Sequence, residues 1–391
     1  MKNLVILNSI IRNSNTKITY DFKVYGQWCD TLEFSEFYVE YNYDISSIPY
    51  SIAVIPFLGT FLPLSWLYDA KIIIDELDID FYLSIPCIKR AYMNMFPTIE
   101  ILGQLMVKKL CDNKKINNER AICLYSGGVD ALFSLISNKN EVAALITIRG
   151  ADIPLSLSTG WNNIKKQVAK NKFVDITNIF FIESSFREII NEDVVCSYTK
   201  KFGDSWWHGF HHGIGIVALV APIAYVLNVH KVLISASYTE KYGGTITCAS
   251  SPNIDNNIRF CATKVVHYGY DVSRQKKIKR IIEEYKESSN KPLLRVCWKD
   301  SNGGNCCMCE KCFRTALGLL LEGEDPRQYG FNSLGQLEIK KLGEQLGFPD
   351  ILHSPKMAHS LPYYIEMKDL LITGEVNMIS DFEWLLNEPF D

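Results

Sequence analysis

The sequence predicts an α/β fold built on a doubly wound parallel sheet. Three observations lead there. From Ala121 onward, apolar runs of strand length alternate with longer helical patterns. Those runs are apolar almost without interruption, as expected of strands covered on both faces. The first of them stops at Ser126-Gly127-Gly128 and restarts at once as a helical pattern.

Residues 1–116 have a different texture. KITYDFKVYG (17–26), SIAVIPFLG (51–59) and KIIIDELDIDFYLSI (71–85) are rich in aromatic and β-branched residues, which favour strands. This part reads as a separate β-rich N-terminal domain. CDNKKINNER (111–120) is polar, lacks an apolar period and reads as the linker. Residues 117–322 carry the alternation. AICLY, EVAALITI, IFFIESS and KVLISAS are strand-like; ALFSLIS, WNNIKKQVAKN and FHHGIGIVALVAPIAYVLNV are helix-like. Residues 323–391 read as a helical C-terminal segment.

The bulk numbers exclude several classes. The chain has 391 residues, 47% of them hydrophobic and 22% charged, with a net charge of −3. It can bury a full core, and nothing in its balance draws it to nucleic acid or an anionic membrane. The longest strongly apolar run, Ile214–Leu227, is shorter than the ~20 residues of a membrane span, so no membrane association is expected. No secretory signal is apparent, so the expected location is the cytoplasm. Five of the twelve cysteines fall between Cys297 and Cys312, crowding that favours a metal over disulfides.

A phosphate loop needs free backbone N–H groups aimed at one spot, with a helix N-terminus behind them. Ser126 supplies a hydroxyl, Gly127 and Gly128 open the turn, and the helix from Val129 and Asp130 supplies its positive end. No Gly-Lys-Ser/Thr follows and no Gly-x-Gly-x-x-Gly is present here, so neither the Walker loop nor the dinucleotide fingerprint applies. The strand–SGGVD–helix stretch resembles the loop of the ATP pyrophosphatase (PP-loop) superfamily, S-G-G-x-D-S/T, with Ala131 in the last place. The resemblance implies a HUP-like sheet, and implies that Ser126, Gly127, Gly128, Val129 and Asp130 surround the phosphates of ATP and its Mg²⁺. Ser126 and Asp130 would be the catalytic members. Arg149, after the second strand, would contact adenine or ribose.

Cys297, Cys306, Cys309 and Cys312 give C-x8-C-x2-C-x2-C. Four thiolates suit tetrahedral Zn²⁺, and an iron–sulfur cluster is the other chemical option. Cys307 is a fifth thiol that competes with Cys306 for the second place. Four closed thiolate positions leave no room for substrate, which makes the site structural. Together with SGGVD and the following Arg314, the pattern resembles the 7-cyano-7-deazaguanine synthases over roughly residues 120–322.

That resemblance implies an ATP-dependent ligase. A carboxylate such as 7-carboxy-7-deazaguanine would be adenylated and then attacked by ammonia or an amine. The alternatives are the same adenylation serving a protein or peptide amine docked through residues 1–116, as in a defence or modification system, and a non-catalytic nucleotide-binding scaffold. A homodimer stays open. Asp255 and Arg259, in a segment similar to one at the synthases' substrate pocket, would hold the base edge and the carboxylate. The basic run Arg274-Gln275-Lys276-Lys277, with Lys279 and Arg280, reads as a solvated face, from which Arg274 and Lys277 reach phosphate if the helix starts at the pocket.

Overall fold

The computed structural model describes residues 3–33, 35–115, 118–242, 245–297 and 299–390. Among them eleven strands form one sheet: β1 (Leu4–Arg12), β2 (Lys17–Tyr25), β3 (Phe37–Tyr41), β4 (Lys71–Asp78), β5 (Gln104–Cys111), β6 (Asn118–Leu124), β7 (Val142–Arg149), β8 (Ile179–Ser184), β9 (Val229–Ser235), β10 (Arg259–Phe260) and β11 (Thr263–Tyr268). Their order is β10-β11-β9-β6-β7-β8-β3-β2-β1-β4-β5. From β11 to β8 every neighbour is parallel. The alternation in the sequence foretold this part, and the arrangement is compatible with a Rossmann-like fold.

Alternate residues of these strands face opposite cores. Ile122, Ile146, Val232 and Ile234 pack on one side, and Ala121, Cys123, Leu145 and Leu233 on the other. The helices after β6 and β7, Val129–Ser137 and Ser158–Val168, cover the second side, while the helical run before β9 covers the first. The chain therefore changes faces between β6 and β9, which are adjacent and parallel. At such a change of face the loops leaving the two strands generally diverge beyond the C-terminal ends and leave a crevice. In open α/β sheets this is where ligands bind.

The N-terminal part departs from expectation in two ways. It holds β1–β5 but is not strand throughout, because SIAVIPFLG becomes helix: Tyr50–Ala53 and then Ile55–Leu67. The second half of KIIIDELDIDFYLSI begins another helix, Ile79–Met95, with Asp78 accepting the Phe81 N–H at 3.0 Å as its cap. Nor is it separate, since β3 pairs antiparallel with β8 and extends the same sheet. The physical reason is burial on the shared face. Helix Ile55–Leu67 is buried along its whole length, and Gly59 lies so close to Ala218 that a Cβ there would come within 2.3 Å of the Ala218 Cβ. Tyr41 donates to the Leu219 carbonyl at 3.0 Å and Tyr92 to the Phe210 carbonyl at 2.7 Å, all buried.

A helical run, Trp207–Leu227, spans 21 residues and is long and apolar enough to cross a membrane, longer than the apolar stretch suggested. A π-helical turn at Trp207–His211 joins the apolar stretch and lengthens it. Most of the run is buried inside the fold. The C-terminal segment is helical as expected, with Gln336–Leu346 and Leu361–Ile372, and it shares the second core with β6 and the cysteine-rich corner.

Because one continuous sheet runs between the two cores, the full chain should unfold in one thermal transition. Residues 118–391 produced alone should be insoluble or molten, as judged by near-UV circular dichroism. Tyr41→Phe should cost about 1 kcal/mol in denaturant unfolding, the usual worth of one buried hydrogen bond.

Candidate functional site

The loop after β6 sits at the mouth of the crevice. Gly127 has φ +79°, a conformation that favours glycine. Gly128 caps helix Val129–Ser137 in extended backbone. Its N–H donates to Ser126 Oγ at 3.3 Å, and the Arg295 N–H donates to the Gly127 carbonyl at 2.8 Å. The Ser126 side chain is exposed, whereas Val129 is fully buried, so Val129 offers backbone alone. Ala131 points into the core at 6% exposure.

Asp130 is the anchor of the site. Arg274 Nη1 lies 2.6 Å from its Oδ2, and Lys277 Nζ lies 3.3 Å from its Oδ1. Lys277 is almost fully buried and also donates to the Ala236 carbonyl, just past β9, at 2.6 Å. Burial pushes the Asp130 carboxyl up, but Arg274, Lys277 and Arg314 outweigh it and hold the carboxyl below its ordinary range. The helix Arg274–Glu284 does start at the pocket, capped by Ser273. Its run of basic residues divides: Arg274 and Lys277 turn inward, while Lys276 and Arg280 pair with glutamates at the surface.

Three further cations ring this loop. Arg314 is 4% exposed, stands 3.9 Å over the Tyr363 ring and is ion-paired through Nη1 with Glu310 Oε1 at 3.5 Å, while its buried Nε has no hydrogen-bond partner. The Nε atoms of Arg274 and Arg295 are buried and likewise unpartnered. Lys311 is exposed beside the cysteine corner, and desolvation lowers its pKa, with Arg314 and Arg274 lowering it further against Asp152. Unpaired buried guanidinium nitrogens are costly, and an anion in the crevice would satisfy them. Arg295 and Lys311 carry no motif and were missed in the sequence. Helix Leu361–Ile372 was expected as a helix, but nothing in the sequence placed it here, where Tyr363 lies against Arg314 and Glu366 accepts from Thr239 at 3.0 Å.

The cysteine corner has the geometry its spacing implied. The sulfurs of Cys297, Cys306, Cys309 and Cys312 all lie within 4.8 Å of one another, with 3.6 Å between Cys309 and Cys312, 3.9 Å between Cys297 and Cys309, and 4.0 Å between Cys306 and Cys312. Tetrahedral Zn–S bonds of ~2.3 Å put the sulfurs about 3.8 Å apart. These four can hold a metal such as zinc. Cys306 takes the second place, and Cys307, at φ +55°, stands outside the set.

The remaining candidates fare differently. Arg149 is held by Glu183 at 2.9 Å and by the Leu155 carbonyl, and Trp161 Nε1 binds the same Glu183 at 2.8 Å. The two Nη atoms of Arg149 are thereby committed to the fold, while its Nε is buried with no hydrogen-bond partner. Asp255 and Arg259 do not meet as a substrate pair. Asp255 is fully buried and accepts from Ser250 Oγ and His267 Nδ1, each at 2.8 Å, while Arg259 is exposed on the edge strand β10. The short helix Pro252–Asp255 turns the first inward and antiparallel pairing with β11 carries the second outward. A cleft of about 290 Å³ between Phe133, Glu240 and Tyr268–Val272 contains none of the loop or cysteine residues.

The chain matches no known family model and no curated protein.

Asp130→Asn should destabilise the protein by about 3–5 kcal/mol, because it strands two buried cations. The stability that ionised Asp130 contributes is fully present above about pH 4 and is lost as the pH falls through its lowered folded-state pKa. The asparagine variant should therefore lack that part of the acid dependence in a thermal melt followed from pH 6 to pH 2. For the corner, elemental analysis should find one zinc per chain. X-ray absorption should show four sulfurs at about 2.3 Å, and Cys312→Ser should lose both the metal and the thermal transition.

Proposed function

We propose that the protein is an AMP-forming, ATP-dependent ligase that adenylates a carboxylate and passes the acyl group to ammonia or an amine. The observation that carries this reading is the loop Ser126–Asp130 at the sheet's change of face, ringed by Arg274, Lys277, Arg295, Lys311 and Arg314. Support for it comes from the helix N-terminus behind the loop and the buried cations beside it, donors of the kind that bind phosphates. ATP fits this donor set. Mg²⁺ held directly by Asp130 fits less well, since Arg274 and Lys277 already engage that carboxylate. Charge compensation on the phosphates falls to the arginines and lysines.

The substrate carboxylate oxygen attacks the α-phosphorus, the bond to the bridging oxygen breaks, and pyrophosphate leaves. The fixed cations and the helix N-terminus offset the charge that develops, without rearranging during the step. The amine then attacks the acyl carbon and AMP departs. Orientation and charge neutralisation carry the chemistry. By its likeness to the deazaguanine synthases, 7-carboxy-7-deazaguanine is the acid to try first.

With that acid, ATP should exchange with labelled pyrophosphate in the absence of amine. Arg314→Ala should lower the exchange kcat/KM by about 10²- to 10³-fold, the scale for losing one charge-stabilising donor. Tight ATP binding without exchange for any carboxylate would establish a nucleotide-binding scaffold instead.

A further inference from the structure

A second group of metal-ligating side chains lies apart from the cysteine corner. Asp204, His208 and His359 each offer one ligand atom, and these atoms all lie within 4.8 Å of one another. Asp204 and His208 are four residues apart, where the chain enters the π-helical turn Trp207–His211. His359 comes from near the other end of the chain, on the exposed turn just before helix Leu361–Ile372. Only folding brings it to the other two.

The carboxylate is held in place from several sides. Asp204 is 6% exposed. Its Oδ1 accepts from the Ser205 N–H at 2.7 Å, and its Oδ2 accepts from Thr247 Oγ1 at 2.6 Å. Gly209 packs so tightly on it that a Cβ there would come within 2.8 Å of the Asp204 Cβ and Cγ. Hydrogen bonds of this kind orient the carboxylate ligands of metal sites. A carboxylate buried this far is costly unless a cation compensates it. The π-helical turn beside it is a feature that recurs at functional sites.

The spacings suit a single ion. His208 Nδ1 lies 3.0 Å from Asp204 Oδ2 and 3.1 Å from Oδ1. Two ligand atoms bound at ~2.1 Å lie about 3.0 Å apart at a right angle and about 3.4 Å apart at the tetrahedral angle. The rings of His208 and His359 are 4.6 Å apart between centroids, at 60° to each other. Two imidazoles on one ion have centroids about 4.5 Å apart at a right angle and about 5.2 Å apart at the tetrahedral angle. Both spacings match neighbouring corners of an octahedron. A hydrogen bond between His208 and Asp204 explains the first spacing, but gives no reason for the second imidazole. Two histidines and one carboxylate on one face of an octahedral ion form a recurrent set for divalent transition metals, with the opposite face open.

We propose that Asp204, His208 and His359 bind a six-coordinate divalent transition ion, with water on the open face. The set contains no thiolate, so it selects a harder ion environment than the cysteine corner does. The ion joins the π-helical turn that precedes β9 to the turn that leads into helix Leu361–Ile372. Thr247 ties the chain after β9 to the same carboxylate. Tyr363, one turn beyond His359, donates to the Ser237 carbonyl at 3.0 Å and carries Arg314 over its ring. The metal therefore fixes the entry of the helix that docks on that arginine. This site is independent of the adenylation proposed above.

The test is titration of the full chain with Co²⁺ after dialysis against citrate, which leaves the closed four-thiolate corner its zinc. Binding is followed by visible absorption, cobalt-edge X-ray absorption and thermal melting. The expected result is one cobalt per chain, with the weak absorption of a six-coordinate ion and no sulfur-to-cobalt charge-transfer band. The X-ray data should show a nitrogen and oxygen shell at about 2.1 Å with imidazole scattering. The melting temperature should rise with cobalt concentration. His359→Ala should weaken binding at least about 100-fold and, because the residue is exposed, should melt like the wild type when no metal is added. Asp204→Asn should weaken binding likewise. His353→Ala, at an exposed histidine outside the set, should bind as the wild type does. No uptake of cobalt by the wild type would overturn the proposal. So would cobalt bound only by sulfur, or wild-type affinity in His359→Ala.

Discussion

The ionic knot at Asp130 is the contact on which the site depends. One carboxylate at the start of helix Val129–Ser137 neutralises Arg274 and Lys277, and Lys277 in turn caps the chain leaving β9. Three segments far apart in sequence meet there: the loop after β6, the chain after β9 and the helix Arg274–Glu284. Charges this deep are tolerated only when paired and hydrogen-bonded. The knot thus fixes the two walls of the crevice relative to each other and sets a positive field at its floor.

The cysteine corner extends that field. Arg295 lies two residues before Cys297, and Lys311 and Arg314 flank Cys312. A metal gathered by the four sulfurs would hold these cations beside the loop. Tyr364 donates to Glu310 at 3.1 Å, and Arg314 lies over the Tyr363 ring, which docks the C-terminal helix on the same corner. The corner, the loop and the last third of the second core are one mechanical unit.

On the opposite face the N-terminal part supplies the packing. Helix Ile55–Leu67 presses on His212–Ala218 through Gly59, and Tyr92 fixes the Phe210 carbonyl within the π-helical turn. Those contacts brace the segment that carries His208 and His212. The part of the chain without a recognisable motif is thereby joined to the rest of the molecule through the sheet and through the helix that precedes β9.

The sequence by itself determined what is local. The strand–Ser-Gly-Gly–helix turn follows from backbone chemistry within five residues. The four-thiolate corner follows from spacings that tight turns can close, and the parallel core follows from uninterrupted apolar runs. Tertiary structure decided what depends on partners distant in the chain. The basic run from Arg274 looks solvated until Asp130, 144 residues earlier, draws two of its members inward. Asp255 and Arg259 are four residues apart, yet a turn and an edge strand send one into the core and the other into water. Residues 1–116 look like a domain of their own until β3 pairs with β8. Pairing of charges and strands depends on proximity, and folding creates proximities that composition and periodicity do not encode.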